Sequence, residues 1–313
     1  MAQGQWPALR SLTLPFKKRA DYILAVLILA CVLIVGPASA RADEAATGNT
    51  PGTSPFNGTY IIHLSESTRV QSSGRPEPGY FDTLAIELFT KAGLAVEIVP
   101  QMPWKRQMEL AGREVGHVIY PTTRIDHRED VFQWVGPVSR TFWNLFGFVD
   151  TGWSDMAFDT LLRDARIGVL MGSAREGYLR DRGAQQLVMV PREELLLPMM
   201  MADRVDLIAI GGNILRHYLD KVRAEYPEVS IPDVAGIKPY RTCYLYIAIS
   251  GDVPQSDITR LQTQLDRFKT NGFFIENRRM HGLSTNLDSA FLKAMLDLDN
   301  NGVTCVDLTD IDT

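Results

Sequence analysis

The feature that most constrains the fold is an alternation of short apolar runs with helix-patterned stretches that begins near residue 60. Residues 60–64 (YIIHL) read as a strand, and 69–79, with two prolines and two glycines, as a loop. Residues 82–92 (DTLAIELFTKA) place Leu84, Leu88 and Ala92 at helical spacing, with Ile86 and Phe89 alongside. Asp82 is the expected N-cap there and Gly93 the stop. A second strand at 96–99, a helix at 104–111 ended by Gly112, and a third strand at 117–120 (HVIY) follow. Strand-helix-strand-helix-strand requires parallel strands joined by crossover helices.

The pattern then repeats. Helix 158–165, strand 166–170 (RIGVL), a helix opened by Gly172-Ser173-Ala174, strand 188–190, helix 193–201, strand 206–210 (DLIAI) and helix 213–226 form a second unit. Between the two units, 132–135 and 144–149 read as two short strands. After a strand at 231–234, the run 243–249 (CYLYIAI) has no crossover partner left in the second unit, and it is expected to return to the first. Helices over 257–271 and 272–280 close the pattern, with Leu261, Leu265 and Phe268 on one face. Two α/β lobes joined by two chain crossings, near Val149 and Arg241, are implied, with a ligand cleft between them.

An apolar content of 45% can fill a full core and excludes disorder over the whole length. The net charge of −5 excludes a general nucleic-acid binder, which carries a basic excess. At the start, Lys17-Lys18-Arg19, the apolar run 22–35, Gly36-Pro37 and small residues near Ala40 and Ala42 have the anatomy of a cleaved export signal. The run is too short for a comfortable membrane span, which takes about 20 apolar residues. Removing 1–42 takes away Arg10, Lys17, Lys18, Arg19, Arg41 and Asp21, so the exported chain carries −9. Residues 43–56 read as a flexible lead-in and 286–313 as an acidic tail. In an oxidising compartment Cys243 and Cys305 fit either a disulfide or two unpaired thiols.

Chemistry concentrates between Pro100 and Pro137. Thr122, Thr123, Arg124 and Arg128 follow the third strand, where hydroxyls and guanidinium groups offer a small anion a site. Pro103-Trp104-Lys105-Arg106, Thr123-Arg124 through Arg128, and Phe132-Gln133-Trp134-Val135-Gly136-Pro137 resemble the bacterial extracellular solute-binding proteins of family 3. These include the periplasmic amino-acid receptors of ABC importers. The resemblance spans roughly residues 56–282 and is weaker in the second unit.

The resemblance implies a two-lobed periplasmic-binding-protein fold (type II), each lobe an open, mainly parallel sheet flanked by helices. Lobe 1 would comprise 57–149 and 243–285, and lobe 2 would comprise 150–242. It implies a monomeric periplasmic receptor that closes on a small molecule and delivers it to an inner-membrane permease. Arg128 corresponds to the arginine that grips a ligand carboxylate, although Ile125 and Asp126 stand where that turn usually has threonine and proline. Gly172-Ser173 corresponds to the facing pair at a helix start, which offers backbone N–H groups to the same carboxylate. The aspartate that pairs with a ligand ammonium is absent: Gly211 occupies its position, with Gly212 and Asn213 after it.

Trp104 and Tyr80 are candidate stacking surfaces of the cleft, Trp104 fitting lobe core equally well, and Ser65 is a candidate from its position after the first strand. Arg124 and Arg128 each also read as a plain surface ion pair with Asp126, Glu129 or Asp130. Glu66 is the one nearby acid for an alternative reading as a dehydratase of the cyclohexadienyl type that shares the fold. A ligand sensor is the other alternative. No cofactor is expected. Asp297-Leu298-Asp299-Asn300-Asn301-Gly302 matches half of a calcium loop, but Leu308 stands where the twelfth-position glutamate belongs.

Overall fold

The computed structural model describes residues 56–65, 69–70, 76–149, 151–212, 214–283, 285 and 304–309. The export-signal reading, most of the lead-in, Glu66, Asn213 and the 297–302 half-motif lie outside these residues. The first unit comprises β1 (Thr59–His63), β2 (Arg69–Val70), β3 (Pro76–Glu77), α1 (Tyr80–Lys91), β4 (Ala95–Val99), α2 (Trp104–Ala111) and β5 (His117–Thr123). A long strand, β6 (Phe132–Phe148), leads on to α3 (Phe158–Asp164), β7 (Ile167–Leu170), α4 (Ala174–Asp181), β8 (Leu187–Val190), α5 (Leu196–Met201), β9 (Leu207–Gly211) and α6 (Leu215–Glu225). A second long strand, β10 (Val234–Ser250), returns the chain to α7 (Gln255–Thr270), α8 (Phe273–Met280) and finally β11 (Cys305–Asp307). No helix among the described residues is long and apolar enough to cross a membrane.

The alternation reads correctly as a mixed α/β fold. One nine-stranded sheet runs β4-β1-β5-β10-β6-β9-β7-β8, with β11 added to β10. Strands β4, β1 and β5 are parallel at one end, and β9, β7 and β8 at the other. The antiparallel pair β6/β10 joins the two ends.

Side-chain alternation along each strand sends neighbouring residues to opposite faces. Val118 and Tyr120 of β5 therefore join Tyr60, Ile62, Leu84, Leu88, Leu261 and Leu265 in one core, while Ile119 packs with Trp134, Tyr246 and Ala111 on the other face. At the far end, Val169, Leu207 and Ala209 face one cluster, and Ile208 and Ile210 another.

Several local expectations are corrected. The short strands expected at 132–135 and 144–149 are one strand of 17 residues, and the one expected at 243–249 reaches back to Val234, leaving 231–233 of the other outside any strand. Gly136-Pro137 and Pro239 hid this, because proline removes a ladder donor. Both fall where the β6/β10 register shifts, between Leu245↔Ser139 and Ile247↔Val135, and between Pro239↔Asn144 and Arg241↔Trp143. At such bulges the missing N–H goes uncalled. Gly136 is needed there, since a Cβ would lie 2.4 Å from the Tyr246 ring.

Thr122 and Thr123, expected after the third strand, belong to it, paired with Tyr246 and Leu245. Helix α1 starts at Tyr80 with Gly79 as N-cap. Asp82 instead accepts from the Gly79 N–H at 2.7 Å and the Ser65 N–H at 2.8 Å, tying the helix to the exit of β1. Part of the expected loop over 69–79 is the β2/β3 ladder.

The 286–313 tail contributes β11, whose Cys305 forms a disulfide with Cys243 directly opposite in β10. Their Cα atoms are 4.1 Å apart. The neighbouring Tyr244 N–H bonds the Thr304 carbonyl, so Cys243 and Cys305 form the close, non-hydrogen-bonded type of antiparallel pair. Asp307 then accepts from the Tyr178 hydroxyl of α4. Cross-linking residues 62 apart removes unfolded-chain entropy worth about 4 kcal/mol. Cys305→Ser is therefore expected to lower the thermal midpoint by several degrees. Peptide mapping without reductant checks the bond itself, and two alkylatable thiols at 243 and 305 would contradict it.

A second test comes from the first core. His63 and His117 are both buried, with His63 Nε2 2.7 Å from His117 Nδ1 and His117 Nε2 2.9 Å from Glu114 Oε2. With His117 donating to Glu114, His63 must donate to His117, leaving His63 Nδ1 buried without a partner. Protonation there has nothing to donate to. Burial, then the neighbouring His117, lowers the His63 pKa to about 4. The unfolded imidazole titrates near 6.5, so the unfolded state binds more protons between these values. Stability is full above about pH 6.5 and is lost as pH falls toward 4, by up to about 3 kcal/mol from this residue. Urea titrations from pH 7.5 to 4 should show a shallower fall for His63→Leu than for the parent chain.

Candidate functional site

The site is built at the end of β5. Past Thr123 the chain extends through Ile125 and closes a single 3₁₀ turn, Asp126–Arg128, with the Arg128 N–H bonded to the Ile125 carbonyl at 2.9 Å. The turn folds the arginine back over the strand end. Arg128 donates from Nη1 to Thr122 Oγ1 at 3.0 Å and to the Thr123 carbonyl at 3.1 Å. Thr122, Thr123 and Arg128 are all buried.

The facing side comes from the turn between β7 and α4. Gly172 there has φ +74°, a left-handed conformation that a side chain would strain. Its carbonyl accepts from Arg128 Nη2 at 3.4 Å and from Trp104 Nε1 at 3.1 Å. Arg128 also lies 5.8 Å from the centre of the Trp104 ring. Trp104 is half-buried against Ile119, Phe132 and Tyr246, so it serves lobe packing and the site together.

The helix start itself is already used. Ser173 Oγ accepts from the Glu176 N–H at 3.1 Å, and the Glu176 carboxylate accepts from the Gly172 N–H at 2.6 Å. The N–H of Gly172, expected to be open to a ligand carboxylate, is thus satisfied by the chain's own acid. Ser173-Ala174-Arg175-Glu176 has the S-x-x-E spacing of a capping box, which is the signal in the sequence that could have shown this.

Arg175, Glu193, Tyr218 and Tyr240 were not read from the sequence. Arg175 pairs with the buried Glu193 carboxylate, which also accepts from Tyr218 Oη at 3.1 Å. Among the described residues no carboxylate lies within ion-pair distance of Arg128, whose partners are all neutral oxygens. Burial, then the charge of Arg175, lowers the Arg128 pKa to about 10. It remains a cation at neutral pH, desolvated and uncompensated.

Other sequence candidates go elsewhere. Arg124 forms a bidentate pair with Glu129 at 2.8 and 2.7 Å and lies over Trp134 and Tyr246, which is the plain ion-pair reading of that residue. Tyr80 packs against Phe81, Arg278 and His281, between α1 and α8. Ser65 is held through its N–H by Asp82. Gly211 ends β9, buried, opposite Trp143. Asp206, at the start of that segment, is bound by Arg166 at 2.6 Å. No group of three metal-ligating side chains occurs among the described residues.

No protein-family profile and no curated protein sequence matches the chain. Solved structures do. A mutant of ArgBP from T. maritima superposes with a TM-score of 0.59 at 15% identity, over 72% of this chain and 95% of that one. A histidine kinase sensor domain with similarity to periplasmic binding proteins gives 0.58 at 15% identity, over 71% and 95%. An ancestral amino-acid-binding protein described as a precursor of cyclohexadienyl dehydratase gives 0.56 at 15% identity, over 71% and 94%. At this identity the likeness establishes a periplasmic-binding-protein-like fold.

Because Arg128 has no acid to strand, its removal has an unusual expected sign. Replacing a desolvated cation by an apolar side chain of similar length offsets the lost neutral hydrogen bonds. Arg128→Met should leave unliganded stability within about 1 kcal/mol of the parent or raise it. Chemical denaturation measures this, and a loss of several kcal/mol would show that the cation is a structural keystone.

Proposed function

We propose that the protein is a non-catalytic receptor that closes over a small carboxylate-bearing solute, gripping it through Arg128. The carrying observation is the buried guanidinium with no carboxylate partner among the described residues, set where β5 meets the turn before α4. A ligand carboxylate would take the place of the 3.4 Å contact to the Gly172 carbonyl and form charge-assisted, bidentate bonds in its stead. Lobe 1 (57–149 and 243–285) and lobe 2 (150–242) would move about β6 and β10, the two segments that pass between them. Trp104 would release the Gly172 carbonyl as the jaws part.

The apolar leader and the disulfide support an exported, periplasmic setting, with an inner-membrane ABC permease as the receiver of the solute and the chain acting as a monomer. The likeness to a sensor domain of a histidine kinase supports a second reading, in which a membrane partner reads the same closed state as a signal. A catalytic reading has less support. Glu176 and Glu193, the acids bonded to the Gly172 N–H and to Arg175, are both engaged in internal bonds.

The test is ligand-dependent stabilisation. A thermal-shift screen of small acids on the exported chain should give a hit whose shift Arg128→Met abolishes, a loss of about 100-fold or more in affinity for a charge-assisted pair. Undiminished affinity in that variant would remove Arg128 from the site.

A further inference from the structure

One residue of the site is held from two directions. Gly172, in the turn between β7 and α4, gives its N–H to the Glu176 carboxylate of the following helix at 2.6 Å. Its carbonyl faces the other way. It receives Trp104 Nε1 from α2 at 3.1 Å and Arg128 Nη2 from the turn after β5 at 3.4 Å. The Cα side of the same residue also meets α2, since a Cβ built there would lie 3.5 Å from Cβ and Cγ of Lys105. The left-handed φ of +74° lets this one residue turn its N–H back to its own helix and its carbonyl across to α2 and β5.

The bonding at that carbonyl is lopsided. Arg128 is a buried cation, and the oxygen it meets is neutral and beyond the usual N–H···O range of about 2.7–3.2 Å. Two donors share the one oxygen. A carboxylate oxygen in its place would receive the same two N–H groups with the charge assistance that a carbonyl lacks. Gly172 is exposed, so solute reaches the turn without unpacking a core. Trp104, a candidate stacking surface in the sequence, thus serves the site as a hydrogen-bond donor.

Resting on the receptor reading above, we propose that the Gly172 carbonyl is a resident stand-in for a ligand oxygen. The chain without solute is held closed by its own turn, and a ligand carboxylate binds by taking over Trp104 Nε1–H and Arg128 Nη2–H from that carbonyl. Closure alone then does not mark occupancy. A membrane partner that distinguishes the loaded chain from the empty one has to read the displaced Gly172 turn.

The test needs no solute. In the exported chain the Trp104 indole N–H resonance, identified by its disappearance in Trp104→Phe, should be protected from exchange with water. Gly172→Ala strains the left-handed turn and leaves both donors in place. It should speed exchange of that indole proton at least about tenfold and raise the radius of gyration measured by small-angle scattering. Trp104→Phe keeps the ring and removes only the N–H, and should raise the radius in the same direction. That variant carries the test if Gly172→Ala fails to fold.

An indole proton that exchanges as fast in the parent as in Gly172→Ala would overturn the latch. So would a parent whose radius of gyration matches both variants. Either result leaves the carboxylate reading to the thermal-shift test on Arg128→Met. An intact latch in a chain that fails that test would overturn the stand-in role and leave the Gly172 carbonyl as a structural contact only.

Discussion

The structure depends on the pairing of β6 with β10. Each strand is 17 residues long, and their ladder runs from Val234↔Phe148 to Ser250↔Phe132. Without it the parallel sets β4-β1-β5 and β9-β7-β8 would have no common frame, since β5 reaches the far end of the sheet only through β10, and β9 reaches β5 only through β6. The ladder is long, yet it is broken at three places where its register shifts. Bulges of this kind bend a strand and raise its local twist. The two strands thereby supply continuous backbone bonding and an articulated ribbon at once. β11 covers β10 at Arg241–Cys243, just past Leu245, where β5 leaves off, and the disulfide fixes it there. An edge that would otherwise present open N–H and C=O groups is closed by the chain's own C-terminal strand.

The same frame makes the cost at Arg128 bearable. A buried cation without an acid opposes folding, and the three neutral oxygens around it recover only part of its hydration. Its position is nevertheless fixed by backbone, through a one-turn 3₁₀ helix set directly on a strand that is paired on both sides. The geometry is therefore prepaid by the sheet. On the reading proposed above, what the folded chain leaves unsatisfied at that point would be available to an anion as binding energy.

Much of the fold was legible because it rests on periodicity. Leu84, Leu88, Val118 and Leu261 are core residues at positions that alternation or helical spacing picks out. The long strands were not legible, because Pro137 and Pro239 look like terminators unless the partner strand's register shift is known, and register is a tertiary fact. The C-terminal strand was hidden for a related reason: Cys305-Val306-Asp307 carries no pattern of its own and is held by its partner. At the site, Arg128 and Thr122 were readable as residue types at a strand end. Arg175 and Tyr240 were not, since one is a charged residue on a helix and the other a tyrosine inside a strand.

That contrast bears on how the site differs from a generic helix-terminus anion site. The N-terminus of α4 has the residues for one, but Ser173 and Glu176 satisfy its first donors internally. Glu176 also places a negative charge at the end of the helix that would otherwise attract an anion. On the receptor reading proposed above, a carboxylate would therefore be held from the opposite side, by the guanidinium on β5's turn, and not by the dipole of α4.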